Sequence, residues 1–262
     1  MFQALILGLV QGLTEFLPVS SSAHLAVIPE FFGWEEHSNL FDIFLHGGTL
    51  LALLVTYRDQ ILKFFLNREN FLKISIATIP SVIIAFLLLG SIDSLKSNLL
   101  IAFMLASIGV LLIIADYVAK INEKKLILGN NTEQFSIDHV SNKSSILMGL
   151  AQPIAYFRGT SRSGVTIITG VFSGLSLKDA TNYSFVLGIP IISAGVLYSG
   201  FEIIKDTPES INSAELAVGF ISSFIFGLIA IKIMLKLTER IGLKYFGIYR
   251  IILAIILLVF LS

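Results

Sequence analysis

The chain has 262 residues, of which 55% are hydrophobic and only 14% charged, with 18 basic residues balancing 18 acidic ones. At a mean hydropathy of +0.86 it is too apolar for a soluble domain of this length, and it reads as a polytopic membrane protein. Cysteine is absent, which excludes disulfides and thiol catalysis, and no nucleic-acid partner is expected.

In chain order, residues 2–17 and 23–32 are apolar but short, and Pro18 with Ser20, Ser21 and Ser22 lies between them. Neither piece crosses about 30 Å of hydrocarbon comfortably. A hairpin that enters and leaves on one side satisfies both lengths, provided its non-helical tip is buried in protein or faces a water-filled cavity. No cleavable signal is expected, because the start lacks a basic n-region and Gln11 and Glu15 interrupt the apolar stretch. The runs 40–57, 72–90 and 98–118 are long enough, or nearly so, to span as helices. A polar stretch from about 119 to 143, rich in Lys, Asn and Ser, reads as a linker. The short pattern then returns as 145–157 and 164–174 around Arg158 to Ser163, followed by the runs 183–201, 214–235 and 246–261. None of these segments alternates with period two, which argues against a β-barrel.

The two short patterns are copies. At an offset of 141 positions, Gly8, Leu9, Gln11, Phe16, Ser20 and Ser22 are matched by Gly149, Leu150, Gln152, Phe157, Ser161 and Ser163, and Phe44, Gly47, Val55 and Tyr57 by Phe185, Gly188, Val196 and Tyr198. Each half is one hairpin plus three spanning helices. Three is odd, so the second half enters the membrane upside down relative to the first. The expected fold is an all-α integral membrane domain, 1–262, with six transmembrane helices and two re-entrant helical hairpins in an inverted-topology repeat. The repeats run approximately over 1–120 and 144–262 and are joined by a cytoplasmic linker, 119–143. With the N-terminus outside, Arg58, Lys63, Arg68, Lys73, Lys120, Lys124, Lys125, Lys143, Lys178, Lys232, Lys236, Arg240 and Lys244 fall inside, against Lys96 and Lys205 outside. The outer loops instead carry Glu30, Glu35, Glu36, Glu202, Asp206 and Glu209.

Hairpins inserted from opposite faces bring their tips together. One tip offers Glu15, Ser20, Ser21, Ser22 and His24, and the other Arg158, Thr160, Ser161, Arg162 and Ser163. Each break leads into a short helix whose first-turn N–H groups are unpaired, so two helix N-termini converge on a donor-rich pocket suited to an anion. The forked guanidinium of Arg162 suits a pair of phosphate oxygens. Glu15 argues against a plain anion site. A carboxylate there serves as a base, orients a nucleophile, or shares a divalent metal with the substrate. Gln11 lies one helical turn from Glu15 and reaches the same ion. His24 follows the serine run and is expected to aim into the pocket as a nucleophile or proton carrier. His46 reads as a buried histidine bonded to a neighbouring helix, Arg250 as a structural group paired within the bundle, and His37 and His139 as solvated loop residues. A transporter or lipid flippase is the rival class, since inverted repeats with broken helices also build transporters.

The run Gln11-Gly12-Leu13-Thr14-Glu15-Phe16-Leu17-Pro18-Val19-Ser20-Ser21-Ser22-Ala23-His24, with Gly159-Thr160-Ser161-Arg162-Ser163-Gly164 and Thr166, resembles the bacterial undecaprenyl-diphosphatase family linked to bacitracin resistance. The similarity runs over nearly the whole chain, including Phe41-Asp42 and Tyr57-Arg58-Asp59. The resemblance implies hydrolysis of undecaprenyl diphosphate to the monophosphate, recycling the lipid carrier of envelope polymer synthesis, with Mg²⁺ or Ca²⁺ as cofactor. It implies essential roles for Glu15, His24 and Arg162, a motif serine at Ser21, and a metal position at Gln11 where the family has Glu or Gln. The implied setting is the bacterial plasma (inner) membrane, with the site facing outward. The partners are the polyprenyl diphosphate lipid, membrane lipids and, in a homodimer, a second copy. Arg158 stands where the family usually has proline and Gln11 offers no second carboxylate. The residues leave open whether His24, Ser21 or water attacks.

Overall fold

Polar breaks set the element boundaries in the computed structural model, which describes residues 1–35, 37–88, 97–128, 137, 140–205 and 212–260. His139, Glu36, Lys96, Asp206, Glu209 and most of the linker between 129 and 139 lie outside the described residues.

Among the described residues all regular structure is helical. The first half comprises α1 (Phe2–Phe16), α2 (Ser21–Phe32), α3 (Asn39–Thr56), α4 (Arg58–Leu66), α5 (Arg68–Leu88) and α6 (Asn98–Leu128). The second comprises α7 (Asn142–Ala151), which tightens into a 3₁₀ turn at Gln152–Tyr156, then α8 (Arg162–Phe172), α9 (Leu177–Lys205), α10 (Ser213–Arg240) and α11 (Lys244–Phe260). Four stretches among the described residues are long and apolar enough to cross a membrane: Asn39–Thr56, Asn98–Lys124, Leu177–Phe201 and Ser213–Thr238. The chain is thus an all-helical, multi-pass membrane protein.

Two elements differ from the sequence reading. The first ten residues expected in the linker, 119–128, continue α6, because Ala119, Lys120, Glu123, Lys124 and Leu126 are good helix formers and nothing there breaks the ladder. The nine-residue α4 was not anticipated; Arg58, Asp59, Gln60 and Lys63 make it too polar to stand out beside spanning segments.

The two halves share their turns as well as their sequence. Ser20 and Ser161 are the only described non-glycine residues with positive φ, at 75° and 73°. Each accepts a hydrogen bond on its side chain from the backbone N–H three residues on, at Ala23 and Gly164. The short helices that follow run into Gly33 and Gly174, again 141 positions apart and again at positive φ. Interhelix packing repeats too. A Cβ on Gly8 would strike the Gly219 carbonyl on α10, and one on the matched Gly149 would strike the Ala77 carbonyl on α5. Close approach without a side chain is the usual way to pack helices where burial of apolar surface gives no net drive.

Arg250 on α11 joins the halves. Fully buried, it donates to the carbonyls of Pro18 (3.1 Å), Gly159 (2.5 Å) and Thr160 (3.0 Å), and to Leu105 and Met104 on α6 (both 3.3 Å). Pro18 and Gly159 are repeat mates, so one guanidinium holds equivalent carbonyls of both tips. The structural reading of Arg250 therefore stands.

Candidate active site

The end of α1 and the start of α8 meet at one ion pair. Arg162 donates to Glu15 Oε1 at 3.0 Å, with side chains only 11% and 8% exposed. Arg162 also donates to the Ser184 carbonyl on α9 at 3.1 Å, which fixes one edge of the guanidinium. The other carboxylate oxygen, Oε2, accepts from Ser21 Oγ at 2.8 Å and from Gln11 Nε2 at 3.2 Å. Gln11 and Glu15 face the same way because they are four residues apart on α1. Ser21 reaches back because its helix begins immediately after the tight turn at Ser20.

The remaining serines build the tips. Ser20 and Ser161 cap α2 and α8, and their hydroxyls pair with Ser22 and Ser163, both at 3.2 Å. Ser163 ties the tips together by donating to the Glu15 and Leu17 carbonyls at 3.2 and 3.3 Å. Thr166 Oγ1 lies 2.6 Å from Ser184 Oγ and steadies α8 against α9. Three buried polar atoms at this junction have no partner among the described residues: Gln11 Oε1, Thr160 Oγ1 and Arg162 Nε. Buried orphans are uncommon and mark a place where a ligand, ion or water completes the network. Arg158 is half-buried and makes no hydrogen bond or ion pair among the described residues.

His24 departs from expectation. Its Nδ1 lies 2.7 Å from the Ser20 carbonyl and its Nε2 2.6 Å from the Tyr249 hydroxyl, so both ring nitrogens are engaged and neither touches the Glu15–Arg162 pair. A carbonyl only accepts, which puts the proton on Nδ1 and leaves the Nε2 lone pair to accept from Tyr249. The two rings lie parallel with centroids 5.8 Å apart. His46, by contrast, belongs to the cluster. From α3 its Nδ1 reaches Gln11 Nε2 at 3.0 Å and stands 3.9 Å from Glu15 Oε2, while its side chain is 40% exposed rather than buried. His37 is not merely solvated, since it pairs with Asp42 Oδ1 at 2.7 Å beside the first turn of α3. Tyr249, Ser184 and His46 carried no motif signal; only their polar side chains within helices distinguished them.

Fold and cluster together define a polytopic helical membrane protein in which an acid, a hydroxyl and a guanidinium are brought together from two broken helix pairs, an arrangement for handling an anionic group among apolar helices. The chain belongs to the bacitracin resistance protein BacA family, which it matches over residues 4–256. It is 37% identical to an undecaprenyl-diphosphatase of Marinobacter nauticus, over 97% of this chain and 96% of that protein. Proteins of the same description from Caldicellulosiruptor bescii and Wolinella succinogenes are each 36% identical, covering 99% and 100% of this chain and 97% and 98% of their own lengths.

Proposed function

We propose that the protein hydrolyses undecaprenyl diphosphate to undecaprenyl phosphate and inorganic phosphate, returning the lipid carrier to envelope polymer synthesis and so conferring bacitracin resistance. One observation carries the mechanism: Glu15 holds Ser21 Oγ at 2.8 Å on one oxygen and Arg162 at 3.0 Å on the other. A hydroxyl donating to a carboxylate beside a guanidinium has the arrangement of a nucleophile paired with its base. The substrate's terminal phosphate draws Arg162 off Glu15 by offering it more negative charge, and the freed carboxylate then takes the Ser21 proton. Ser21 Oγ bonds to the terminal phosphorus while the bridging P–O bond breaks, its electron pair leaving on the lipid monophosphate. The lipid monophosphate takes that proton from Glu15 as it leaves; water then attacks the phosphorus and passes a proton to Glu15, which returns it to the departing Ser21 oxygen as inorganic phosphate is released. Arg162 and the first-turn N–H groups of α2 and α8 stabilise the charge that spreads over the transferring group. The occupied lone pair of His24 supports a role beside this centre, through Tyr249, rather than as the attacking atom.

The residues fit a divalent ion shared with the substrate. Glu15 supplies a carboxylate oxygen and Gln11 an orphaned amide oxygen beside it. Among the described residues no group of three or more acidic, His or Cys side chains gathers to hold a metal alone, so phosphate and water oxygens would complete the shell. When bound, Mg²⁺ or Ca²⁺ would neutralise part of the diphosphate charge.

We further propose the six-span, two-hairpin inverted repeat over 1–120 and 144–262 in the bacterial plasma membrane, with the site open outward. Contacts at the two ends support it. Met1 with Glu215 (2.7 Å) and Asn98 with Glu30 (3.4 Å) join segments assigned to the outer side. Lys73 with the Val140 carbonyl (2.8 Å), Tyr57 with Asn182 (2.9 Å) and the Leu243 N–H with Asp116 (2.6 Å) join segments assigned to the inner side. His46, the partly exposed member of the cluster, lies nearer the outer end of α3.

Phosphate release from undecaprenyl diphosphate by purified protein in detergent tests the enzymatic reading, because no second compartment exists there for a transporter to serve. Turnover by the wild type, lost in Ser21→Ala and Glu15→Gln while both still bind the lipid, is the expected result. Undiminished release by Glu15→Gln would refute it.

A further inference from the structure

The hydrogen-bond chain that starts at Arg162 also fixes the state of His46. Glu15, paired with Arg162 at 3.0 Å, is a carboxylate and accepts only. The end of the Gln11 amide that approaches Glu15 Oε2 at 3.2 Å is therefore its NH₂ group. That same nitrogen lies 3.0 Å from His46 Nδ1, so Nδ1 must accept. A neutral imidazole with an accepting Nδ1 carries its proton on Nε2. Nε2 forms no hydrogen bond among the described residues, and 40% of the side chain is exposed. The separation of 3.9 Å between His46 Nδ1 and Glu15 Oε2 is too long for a hydrogen bond, so the amide alone sets the tautomer.

We infer that His46 is a substrate-binding residue whose Nε2–H donates to the terminal phosphate of the diphosphate, with Gln11 holding it in the donating tautomer. The inference rests on the phosphatase reading above and adds a fourth helix, α3, to a site otherwise built from α1, α2 and α8. It also gives Gln11 a role that needs no charge: its NH₂ group links base to donor, and its free oxygen remains for an ion. The repeat mate of His46 is Leu187, so the second half has no such donor.

Isosteric replacements separate binding from mere support. Gln places an N–H where Nε2 was; Asn keeps an acceptor for Gln11 where Nδ1 was but offers nothing further out. In detergent with undecaprenyl diphosphate, His46→Asn and His46→Leu are expected to raise KM about tenfold, the usual scale for a donor lost from a charged acceptor, with kcat within about threefold. His46→Gln is expected to recover KM to within about threefold of wild type. His46→Asn matching wild type would mean that His46 only supports Gln11, and would overturn the inference. A fall in kcat at unchanged KM in His46→Asn would overturn it equally. If His46→Leu fails to fold, the Asn and Gln pair still decides. Glu15→Gln measured alongside keeps the two readings apart: undiminished turnover in that variant sinks the phosphatase reading itself, whereas its loss with an unchanged His46→Asn sinks only the inference.

Discussion

The two tips have the same backbone and opposite chemistry. Both turn on a serine near φ 75°, both cap the following helix with that serine, and both pair its hydroxyl with the serine two residues on at 3.2 Å. Yet Glu15 is matched by Tyr156, Ser21 by Arg162, His24 by Val165 and His46 by Leu187. In the proposed reaction the matched positions divide the work, with acid and hydroxyl on one tip and guanidinium on the other. A hydroxyl in both copies would leave the diphosphate charge unmet. A guanidinium in both would leave no nucleophile.

Removing the divergent side chains should produce the largest effects. Arg162→Ala is expected to lower kcat about a thousandfold, since it takes away a charge-assisted donor that the repeat mate cannot replace. Steady-state phosphate release measures it, and a loss below tenfold would show that the tips share the charge more evenly than their sequences do. Next comes the residue that treats the tips alike. Arg250→Met deprives five carbonyls of their donor and should destabilise the protein by about 3 kcal/mol or more, read as a lower melting temperature in detergent. An unchanged melting temperature would mean that the tips hold together without it.

The shared backbone gives smaller and paired effects. Ser20→Ala and Ser161→Ala each lose a helix cap while keeping positive φ, and each should cost about 1 kcal/mol. Ser→Gly should cost less at both positions, because glycine accepts that conformation. Unequal losses at the two sites would show that one tip carries the strain. Smallest of all, Tyr249→Phe bares the His24 lone pair and should lower kcat about fivefold without moving the melting temperature. No change in rate would detach His24 from the reaction path.

The sequence displayed the breaks, the copies and the ionisable residues, because polar groups inside apolar sequence are costly and therefore conspicuous. Glu15, Gln11 and Ser21 were linked by helical spacing and a short turn, both local properties. What stayed hidden depends on tertiary packing. Nothing local tells that α3 brings His46 to Gln11, that α11 brings Tyr249 to His24, or that Arg250 reaches carbonyls 90 and 232 residues away. The positive φ of Ser20 and Ser161 was illegible for another reason. Serine gives no sign of that conformation, whereas Gly33 and Gly174 do. The serine hydroxyl is needed there as a cap, and this outweighs the backbone cost.

Glu15 from one tip and Arg162 from the other should act on one diphosphate as a unit. A double-mutant cycle on kcat/KM with Glu15→Asp and Arg162→Lys measures that coupling directly. The double variant should fall little below the worse single one. Losses that simply multiply would mean that the two side chains work independently, and would contradict it.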